Sequence, residues 1–283
     1  MTETATHGEH RSGEFTTRDG VVLFEQEWTV ASPKACVIIV HGFGEHSSRY
    51  PHVAERLNAD NFSVYTYDQR HHGKSPGAMG DIESFDPLAG DLDEFVALVR
   101  TRVPEVPLFL FGHSMGGLVL ALYVVRFSPD VRGLVFSSPG VKEDGSIGPL
   151  QKFLASVLAK ILPKAPVLAL DISGLSRIPE VVERYNADPL VYHGKIGARS
   201  GLSFMRAIGE VNERMNEIAL PLFVQHGSDD RVVPVAAGEV LHAKVSSKDK
   251  LLKVYPGAYH EVFNDLGAEE FLDDTADWMK SRL

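Results

Sequence analysis

The stretch Phe109-Leu-Phe-Gly-His-Ser-Met-Gly-Gly-Leu118 decides the fold, because it places one serine in a sharp turn between a strand and a helix. An apolar run, Val106 to Phe111, precedes the pentapeptide Gly-His-Ser-Met-Gly, and a helical pattern follows over Leu118 to Val125. Glycines two residues before and after Ser114 fit a turn too tight for side chains there. The helix behind the turn directs free N–H groups toward any oxyanion formed at the hydroxyl. We therefore predict that Ser114 is a nucleophile, with a tight structural turn as the alternative.

Strand-like and helical patterns alternate along the chain on both sides of this turn. The strand-like runs are Val21 to Trp28, Cys36 to Val40, Phe62 to Tyr67, Val106 to Phe111, Val131 to Ser137, Pro221 to Gln225 and Leu251 to Tyr255. The helical ones include Ser47 to Asn58, Asp86 to Val103 and Glu269 to Met279. Such alternation predicts an α/β fold with a mostly parallel central sheet and helices on both faces. In these sheets ligands bind at the carboxyl ends of the strands, where Ser114 is expected.

The alternation stops between Pro139 and Ala219, where helical patterns continue without a strand-like run. We interpret this segment as a helical cap inserted into the sheet domain. The predicted organisation is a disordered tail at 1–13, a core formed by 14–138 and 220–283, and a cap, or lid, at 139–219. The tail prediction depends on a polar composition without large apolar side chains.

One cap helix carries a broad apolar face. Its residues follow helical spacing and are Leu150, Phe153, Leu154, Val157, Leu158, Ile161 and Leu162. This face has two interpretations. It packs on neighbouring helices, or it forms a lid whose apolar side faces a lipid-like substrate or lies on a membrane surface, so that Leu150 to Leu162 makes a peripheral membrane contact.

Composition limits the possible functions. The chain has 283 residues, 44% of them hydrophobic and 23% charged, as in a globular protein with a substantial core. A net charge of −10 argues against a nucleic-acid partner. We find no apolar run long enough to span a membrane and no secretion signal at the start, and therefore expect a cytoplasmic protein, with peripheral membrane association as the alternative. The single cysteine, Cys36, is expected in the core, with a catalytic thiol as the alternative.

A serine nucleophile needs a base to take its proton and an acid to orient that base. In the chain order Ser, Asp or Glu, His, the histidines after Ser114 are His193, His226, His242 and His260. Only the last follows the final predicted strand, so His260 is the expected base, and His226 is interpreted as a loop histidine. The acid should follow the preceding strand, where Asp229 and Asp230 stand together. Spacing does not separate these two.

Five motifs in order resemble the monoacylglycerol lipases of the α/β-hydrolase superfamily from about Gly20 to the C-terminus. They are His41-Gly-x-Gly-Glu-His-Ser-x-Arg-Tyr50, Gly-His-Ser-Met-Gly-Gly117, Tyr185-Asn-x-Asp-Pro-Leu190, Gly227-x-x-Asp-Arg231 and Gly257-x-Tyr-His260. The resemblance implies an α/β-hydrolase fold and the triad Ser114, Asp230 and His260. It also implies an oxyanion hole formed by the backbone N–H groups of Phe43 and Met115, and polar substrate contacts from Glu45, Arg49 and Tyr185.

The sequence departs from the family pattern at two positions. Phe263 stands where mammalian members have a second histidine, so the resemblance does not carry over one polar contact to the glycerol head. His71 stands where relatives have glycine, and we expect it to be exposed to solvent or to reshape its loop.

The motifs together predict a serine carboxylic-ester hydrolase that needs no metal and no cofactor. The resemblance implies a monoacylglycerol lipase that releases a fatty acid and glycerol through an acyl-enzyme on Ser114, with a neutral lipid or ester as substrate. The alternatives on the same triad are another esterase, a lysophospholipase, a thioesterase, an acyltransferase or a small-amide peptidase. A binding module without catalysis is a further alternative, but it would require a broken triad.

Overall fold

A computed structural model describes residues 8–142 and 149–283 of the chain. The strands of this part are β1 (Glu9–Thr16), β2 (Val22–Thr29), β3 (Ala35–Val40), β4 (Phe62–Tyr67), β5 (Leu108–His113), β6 (Gly133–Ser137), β7 (Pro166–Leu168), β8 (Ile196–Gly197), β9 (Leu222–Gly227) and β10 (Lys250–Tyr255). Eight of them form one sheet in the order β1-β2-β4-β3-β5-β6-β9-β10, and β7 pairs with β8 in a small second sheet.

The main sheet is mostly parallel. Strand β2 runs antiparallel to both of its neighbours, whereas every pair from β4 to β10 is parallel. Every residue of β3, β4, β5, β6 and β9 is buried, as expected for strands covered on both faces. The predicted α/β-hydrolase architecture is confirmed.

Helices cover both faces of the main sheet, and others lie in the insertion between β6 and β9. The helices are α1 (Pro51–Ala59), α2 (Asp86–Arg102), α3 (Met115–Phe127), α4 (Pro149–Ile161), α5 (Pro179–Ala187), α6 (Ala198–Arg214), α7 (Ala236–Lys244) and α8 (Ala268–Lys280). Of these, α4, α5 and α6 belong to the insertion, and the other five lie against the main sheet. The alternating side chains of β3 divide the core, because Ile38 and Val40 face α2 and α3, while Val37 and Ile39 face α1 and α8.

Two expectations from the sequence are wrong. Residues 9–13 of the expected disordered tail belong to β1, which pairs with β2 over its whole length; residues 1–7 lie outside the described part of the chain. Most side chains of β1 are exposed, so the strand has no apolar alternation that could reveal it. The cap was expected to lack strands, but β7 and β8 form an antiparallel pair within it.

The apolar face of α4 is exposed. Leu154 is 55% exposed, Ile161 69% and Leu162 57%, whereas the small Ala159 is buried. The helix contacts α6, but these large apolar side chains are exposed, so the interpretation that the apolar face packs on neighbouring helices is wrong for these residues. The side chains of Leu150 and Phe153 lie outside the described part. No helix among the described residues is long and apolar enough to cross a membrane.

Candidate active site

Ser114 occupies the turn between β5 and α3 in a strained backbone conformation. Its φ of 53° and ψ of −116° lie outside the regions that non-glycine residues prefer. Its N–H donates to the carbonyl of Ser137 at 2.9 Å, which fixes the turn to the neighbouring strand. A Cβ on Gly116 would overlap the carbonyl oxygen of Val40, so helix α3 approaches the sheet as closely as only glycine allows.

The three residues expected to form the triad lie within hydrogen-bonding distance of one another. His260 Nε2 lies 2.9 Å from Ser114 Oγ, and His260 Nδ1 lies 2.7 Å from Asp230 Oδ2. Asp230 Oδ1 accepts the N–H groups of Val232 and Val233, both at 2.8 Å. The carboxylate is therefore fixed by the backbone on one oxygen and faces the imidazole with the other.

The electrostatics of this group suit proton transfer. Burial alone would raise the pKa of Asp230, but the neighbouring His260 and His226 hold it well below its usual value, so the carboxylate stays charged. Burial would lower the pKa of His260, yet the charge and hydrogen bond of Asp230 and the charge of Glu261 raise it above the ordinary value. This raised pKa indicates that the surroundings favour the imidazolium that forms when His260 accepts a proton.

The structure distinguishes the two neighbouring acids. Asp229 is exposed and its carboxylate accepts from the adjacent Ser228 hydroxyl at 2.6 Å, whereas the side chain of Asp230 is fully buried against His260. His226, interpreted as a loop histidine, is instead a buried residue of β9. Its Nε2 donates to the carbonyl of Val233 at 2.9 Å and lies 3.1 Å from Asp230 Oδ2. The sequence signal for the contact of His226 with Asp230 was a polar residue at the end of an apolar, buried strand.

The backbone around His260 is held by both the core and the cap. Ser138 Oγ donates to the His260 carbonyl at 2.9 Å. The N–H of His260 donates to the carbonyl of Gly174 at 3.1 Å, and the N–H of Glu261 donates to that of Leu175 at 2.8 Å. Gly174 and Leu175 belong to the cap, so the cap contributes directly to the position of the imidazole.

The two expected oxyanion donors lie at the same end of the sheet as Ser114. Phe43 follows β3, and Met115 is the first residue of α3, where backbone N–H groups lack partners within the helix. Neither N–H makes a hydrogen bond to a residue in the described part of the chain. A Cβ on Gly42 would lie 3.3 Å from Ser114 Cβ, which shows how closely this loop approaches the serine.

A buried charge cluster stands beside the triad. Arg49 donates to Glu45 Oε2 at 2.7 Å and to both carboxylate oxygens of Glu261 at 2.6 and 2.7 Å, and its guanidinium lies 4.7 Å from the centre of the Tyr185 ring. Burial would raise the pKa of Glu261, but Arg49 lowers it to about 2. The pairing of Arg49 with Glu261 was not found from the sequence, because 212 residues separate the two.

The departures from the family pattern have structural explanations. Phe263 is 1% exposed and stacks on Tyr50 at a centroid distance of 5.1 Å, so it belongs to the core and does not face substrate. His71 was expected to be exposed, but it is half-buried, and its φ of 69° lies in the left-handed region that favours glycine. Burial lowers its pKa.

A cavity of about 800 Å³ opens above Ser114. Its base holds Ser114, His260, Glu45 and Tyr185, and its remaining wall is largely apolar and comes mainly from the cap. The apolar residues include Leu158, Val167, Leu168, Leu170, Ile172, Leu202, Phe204, Met205 and Ile208. Arg49 is not among the described residues that line it and stands behind Glu45 and Tyr185. Within the described chain, no group of three or more His, Cys, Asp or Glu side chains is arranged to hold a metal ion.

Comparison with known proteins identifies the family. Residues 31–267 match the family described as serine aminopeptidase, S33. A monoacylglycerol lipase of Mycolicibacterium smegmatis is 37% identical over 280 residues, covering 99% of either chain. The chain belongs to the monoacylglycerol lipase family. This family member is therefore a serine hydrolase.

Other members of the monoacylglycerol lipase family are also similar to this chain over most of its length. The human monoglyceride lipase is 32% identical over 250 residues, which cover 88% of this chain and 82% of the human one. The crystal structure of the Paleococcus ferrophilus monoacylglycerol lipase matches with a TM-score of 0.79 and 32% identity, over 97% of this chain and 100% of that chain. The predicted family resemblance is confirmed.

Proposed function

We propose that the protein hydrolyses monoacylglycerols to a fatty acid and glycerol, with Ser114 as nucleophile, His260 as base and Asp230 as the orienting acid. The observation that carries this proposal is the contact of His260 with Ser114 at 2.9 Å and with Asp230 at 2.7 Å at the base of an apolar cavity. The cavity volume falls within the range of about 300 to 1,000 Å³ typical of small-molecule sites. The family relationship supports the same substrate class.

The reaction proceeds in two steps. Ser114 Oγ attacks the ester carbonyl carbon while His260 Nε2 takes its proton, and the N–H groups of Phe43 and Met115 stabilise the oxyanion. The tetrahedral intermediate collapses, the glycerol oxygen leaves with the proton from His260, and the acyl group remains on Ser114. Water then attacks this ester, His260 again moves the proton, and the fatty acid is released.

The polar and apolar walls of the cavity suit the two ends of this substrate. The acyl chain would lie against the apolar wall supplied by the cap. Glu45 and Tyr185 line the base, and the Tyr185 hydroxyl makes no hydrogen bond to another residue in the described part of the chain, so it can contact a glycerol hydroxyl. Arg49 acts from behind by fixing the carboxylate of Glu45 and the ring of Tyr185.

We further propose that the cap contacts a lipid surface through α4. Leu158, Val167 and Leu168 line the cavity and are also 37%, 48% and 54% exposed. The apolar surface is therefore continuous from solvent to the cavity, a path that suits a substrate leaving a bilayer. Leu154 and Ile161 extend this surface along the helix.

An aminopeptidase, as the family description names, is the second candidate. It would need a free carboxylate in the cavity to bind the ammonium group of its substrate. The two acids that line the cavity in the described part of the chain are Glu45 and Glu261, and both are paired with Arg49. This pairing favours an uncharged substrate. Lysophospholipase, thioesterase and acyltransferase activities use the same triad, so substrate comparison distinguishes them.

The test of the substrate is a hydrolysis panel. Purified wild type and Ser114→Ala are compared on monoacylglycerol, diacylglycerol, triacylglycerol, a lysophospholipid, a thioester and an aminoacyl amide. We expect monoacylglycerol to be cleaved with the highest kcat/KM, and Ser114→Ala to lower kcat by about a million-fold. Near-normal hydrolysis by Ser114→Ala would refute the nucleophile, and preference for another substrate would refute the substrate assignment.

The test of the lipid surface is sedimentation with phosphatidylcholine vesicles. A Leu154→Glu/Ile161→Glu variant should bind vesicles more weakly than wild type, because it places two charges on the exposed face of α4. A matched control, Leu251→Glu/Leu266→Glu, changes two leucines of similar exposure outside the cap, at 45% and 57%. Equal binding by all three proteins would contradict the proposal.

A further inference from the structure

Side chains hold both backbone polar groups of Gly42, the residue that precedes the expected oxyanion donor Phe43. The N–H of Gly42 donates to Glu45 Oε1 at 2.6 Å. The carbonyl of Gly42 accepts from His41 Nδ1 at 2.8 Å. The N–H of Gln69 donates to His41 Nε2 at 3.0 Å, so the His41 proton resides on Nδ1.

These two contacts fix the direction of the Phe43 N–H. The Gly42 carbonyl and the Phe43 N–H belong to one planar trans peptide and point in opposite directions. Holding the carbonyl on His41 therefore turns the N–H away from His41, and holding the Gly42 N–H on Glu45 prevents the preceding peptide from rotating. Burial lowers the pKa of His41 to about 4, so this arrangement does not change near neutral pH.

The loop needs this support because glycines stand on both sides of Phe43. Gly42 and Gly44 have a wide range of backbone conformations, and Gly44 has a φ of 75°. An oxyanion donor stabilises the transition state only when it is already oriented before the charge develops. A loop free to rotate at these glycines would have to be ordered during the reaction, at a cost in rate.

Glu45 is itself held rigidly. It is 3% exposed. Its Oε1 accepts a second hydrogen bond, from the Tyr50 hydroxyl at 2.7 Å, and its Oε2 accepts from Arg49 at 2.7 Å. The side chain that holds Gly42 is therefore fixed by two further residues, and Oε1 has no remaining lone pair for substrate.

We propose that Glu45 is a positioning residue for the oxyanion hole, acting through Oε1 on the Gly42 N–H and thereby on the Phe43 N–H. The inference rests on the proposed ester hydrolysis and deepens it. Oε2 keeps one lone pair that can accept a glycerol hydroxyl, so Glu45 has two separate tasks. The positioning task affects every ester, whereas the glycerol contact affects only substrates that contain glycerol.

The experiment compares two substrates with the same acyl chain, a monoacylglycerol and the methyl ester, which lacks the glycerol hydroxyls. For Glu45→Ala we expect kcat/KM to decrease by about a hundred-fold or more on both, mainly through kcat, as for loss of one oxyanion donor. The inhibition constant of an alkyl trifluoromethyl ketone, whose adduct carries an oxyanion but no glycerol, should rise by a similar factor. An unchanged methyl-ester rate with a loss confined to monoacylglycerol would overturn the inference.

Further variants separate positioning from folding. Glu45→Gln keeps an amide oxygen for the Gly42 N–H but places an amide nitrogen where Oε2 accepts from Arg49, so the methyl-ester rate should fall measurably but by no more than about tenfold. The monoacylglycerol rate should fall by at least as much, because the acceptor for the glycerol hydroxyl is lost. The two-ester comparison of Glu45→Gln decides the question if Glu45→Ala does not fold, because an unchanged methyl-ester rate with a loss confined to monoacylglycerol again overturns the inference. Glu55→Gln, which neutralises an exposed carboxylate on α1, is the control and should match wild type. If the wild-type protein hydrolysed neither ester, the proposed function itself would be refuted, and with it the inference that rests on it.

Discussion

Replacing Asp230 by asparagine is expected to put a hydrogen-bond donor where an acceptor now faces His260 Nδ1. Asp230 Oδ1 accepts two backbone N–H groups, from Val232 and Val233, so an asparagine would keep its carbonyl oxygen at this position. Its amide nitrogen must then occupy the place of Oδ2, where it faces His260 Nδ1 at 2.7 Å and His226 Nε2 at 3.1 Å. Because the amide only donates from there, it favours the His260 tautomer with the proton on Nε2.

That tautomer cannot accept the proton of Ser114, since its Nε2 already carries one. The same exchange in a serine protease lowers kcat by about ten-thousand-fold while the geometry stays intact. At about 1.36 kcal/mol for each factor of ten, the corresponding loss of transition-state stabilisation is about 5 kcal/mol. We expect an effect of this size here, because two backbone N–H groups hold the amide oxygen at the Oδ1 position, against a single N–H, that of His226, at the Oδ2 position.

The assay is kcat and KM on an ester at neutral pH for wild type, Asp230→Asn and the matched control Asp229→Asn. The control changes an exposed neighbour and should stay within about twofold of wild type. The melting temperature is measured for each protein to exclude unfolding. If Asp230→Asn kept more than a tenth of the wild-type kcat, or if Asp229→Asn lost as much, the orienting role of Asp230 would be refuted.

Three further changes test the surroundings of the site. Glu261→Gln removes a charge that raises the pKa of His260. The acidic limb of the kcat/KM pH profile, where activity rises as His260 loses its proton, should therefore move to lower pH. A limb at the same pH as in wild type would contradict this. Phe263→Ala empties a core position and should lower the free energy of unfolding by about 3 to 5 kcal/mol, measured in urea, whereas a loss below about 1 kcal/mol would show that the site collapses. Gly116→Ala should lower the free energy of unfolding by more than about 2 kcal/mol, because the added Cβ overlaps the Val40 carbonyl. Its control, Gly90→Ala in α2, has open space around the added Cβ and should leave the free energy of unfolding unchanged or raise it by up to about 1 kcal/mol.

Local patterns predicted the sheet and the turn at Ser114 because the relevant physics is local. A fully buried parallel strand needs a continuous apolar run, and the turn at Ser114 needs glycine at fixed positions. Strand β1 was missed because its side chains are mostly exposed on both faces, so backbone pairing with β2 defines it without an apolar signal.

The finer contacts of the site could not be predicted because they join distant parts of the chain. The choice between Asp229 and Asp230 depends on how the loop after β9 turns, which spacing does not specify. The pairing of Arg49 with Glu261 depends on two loops meeting above the sheet, and neither residue alone indicates a buried partner. The two hydrogen bonds on Gly42 depend on backbone directions, so they follow only from coordinates.

The hydrogen bonds from His260 and Glu261 to Gly174 and Leu175 bear on how caps can be exchanged between relatives. A chimera that replaces the whole insertion would also replace two carbonyl groups that hold the loop of His260. Crossovers placed before residue 172 and after residue 175 would keep residues 172–175 together with the sheet domain that they contact. Helices α4 and α6 could then be exchanged separately. Recombination libraries designed with these boundaries should retain a larger fraction of active clones than libraries cut at residues 139 and 219.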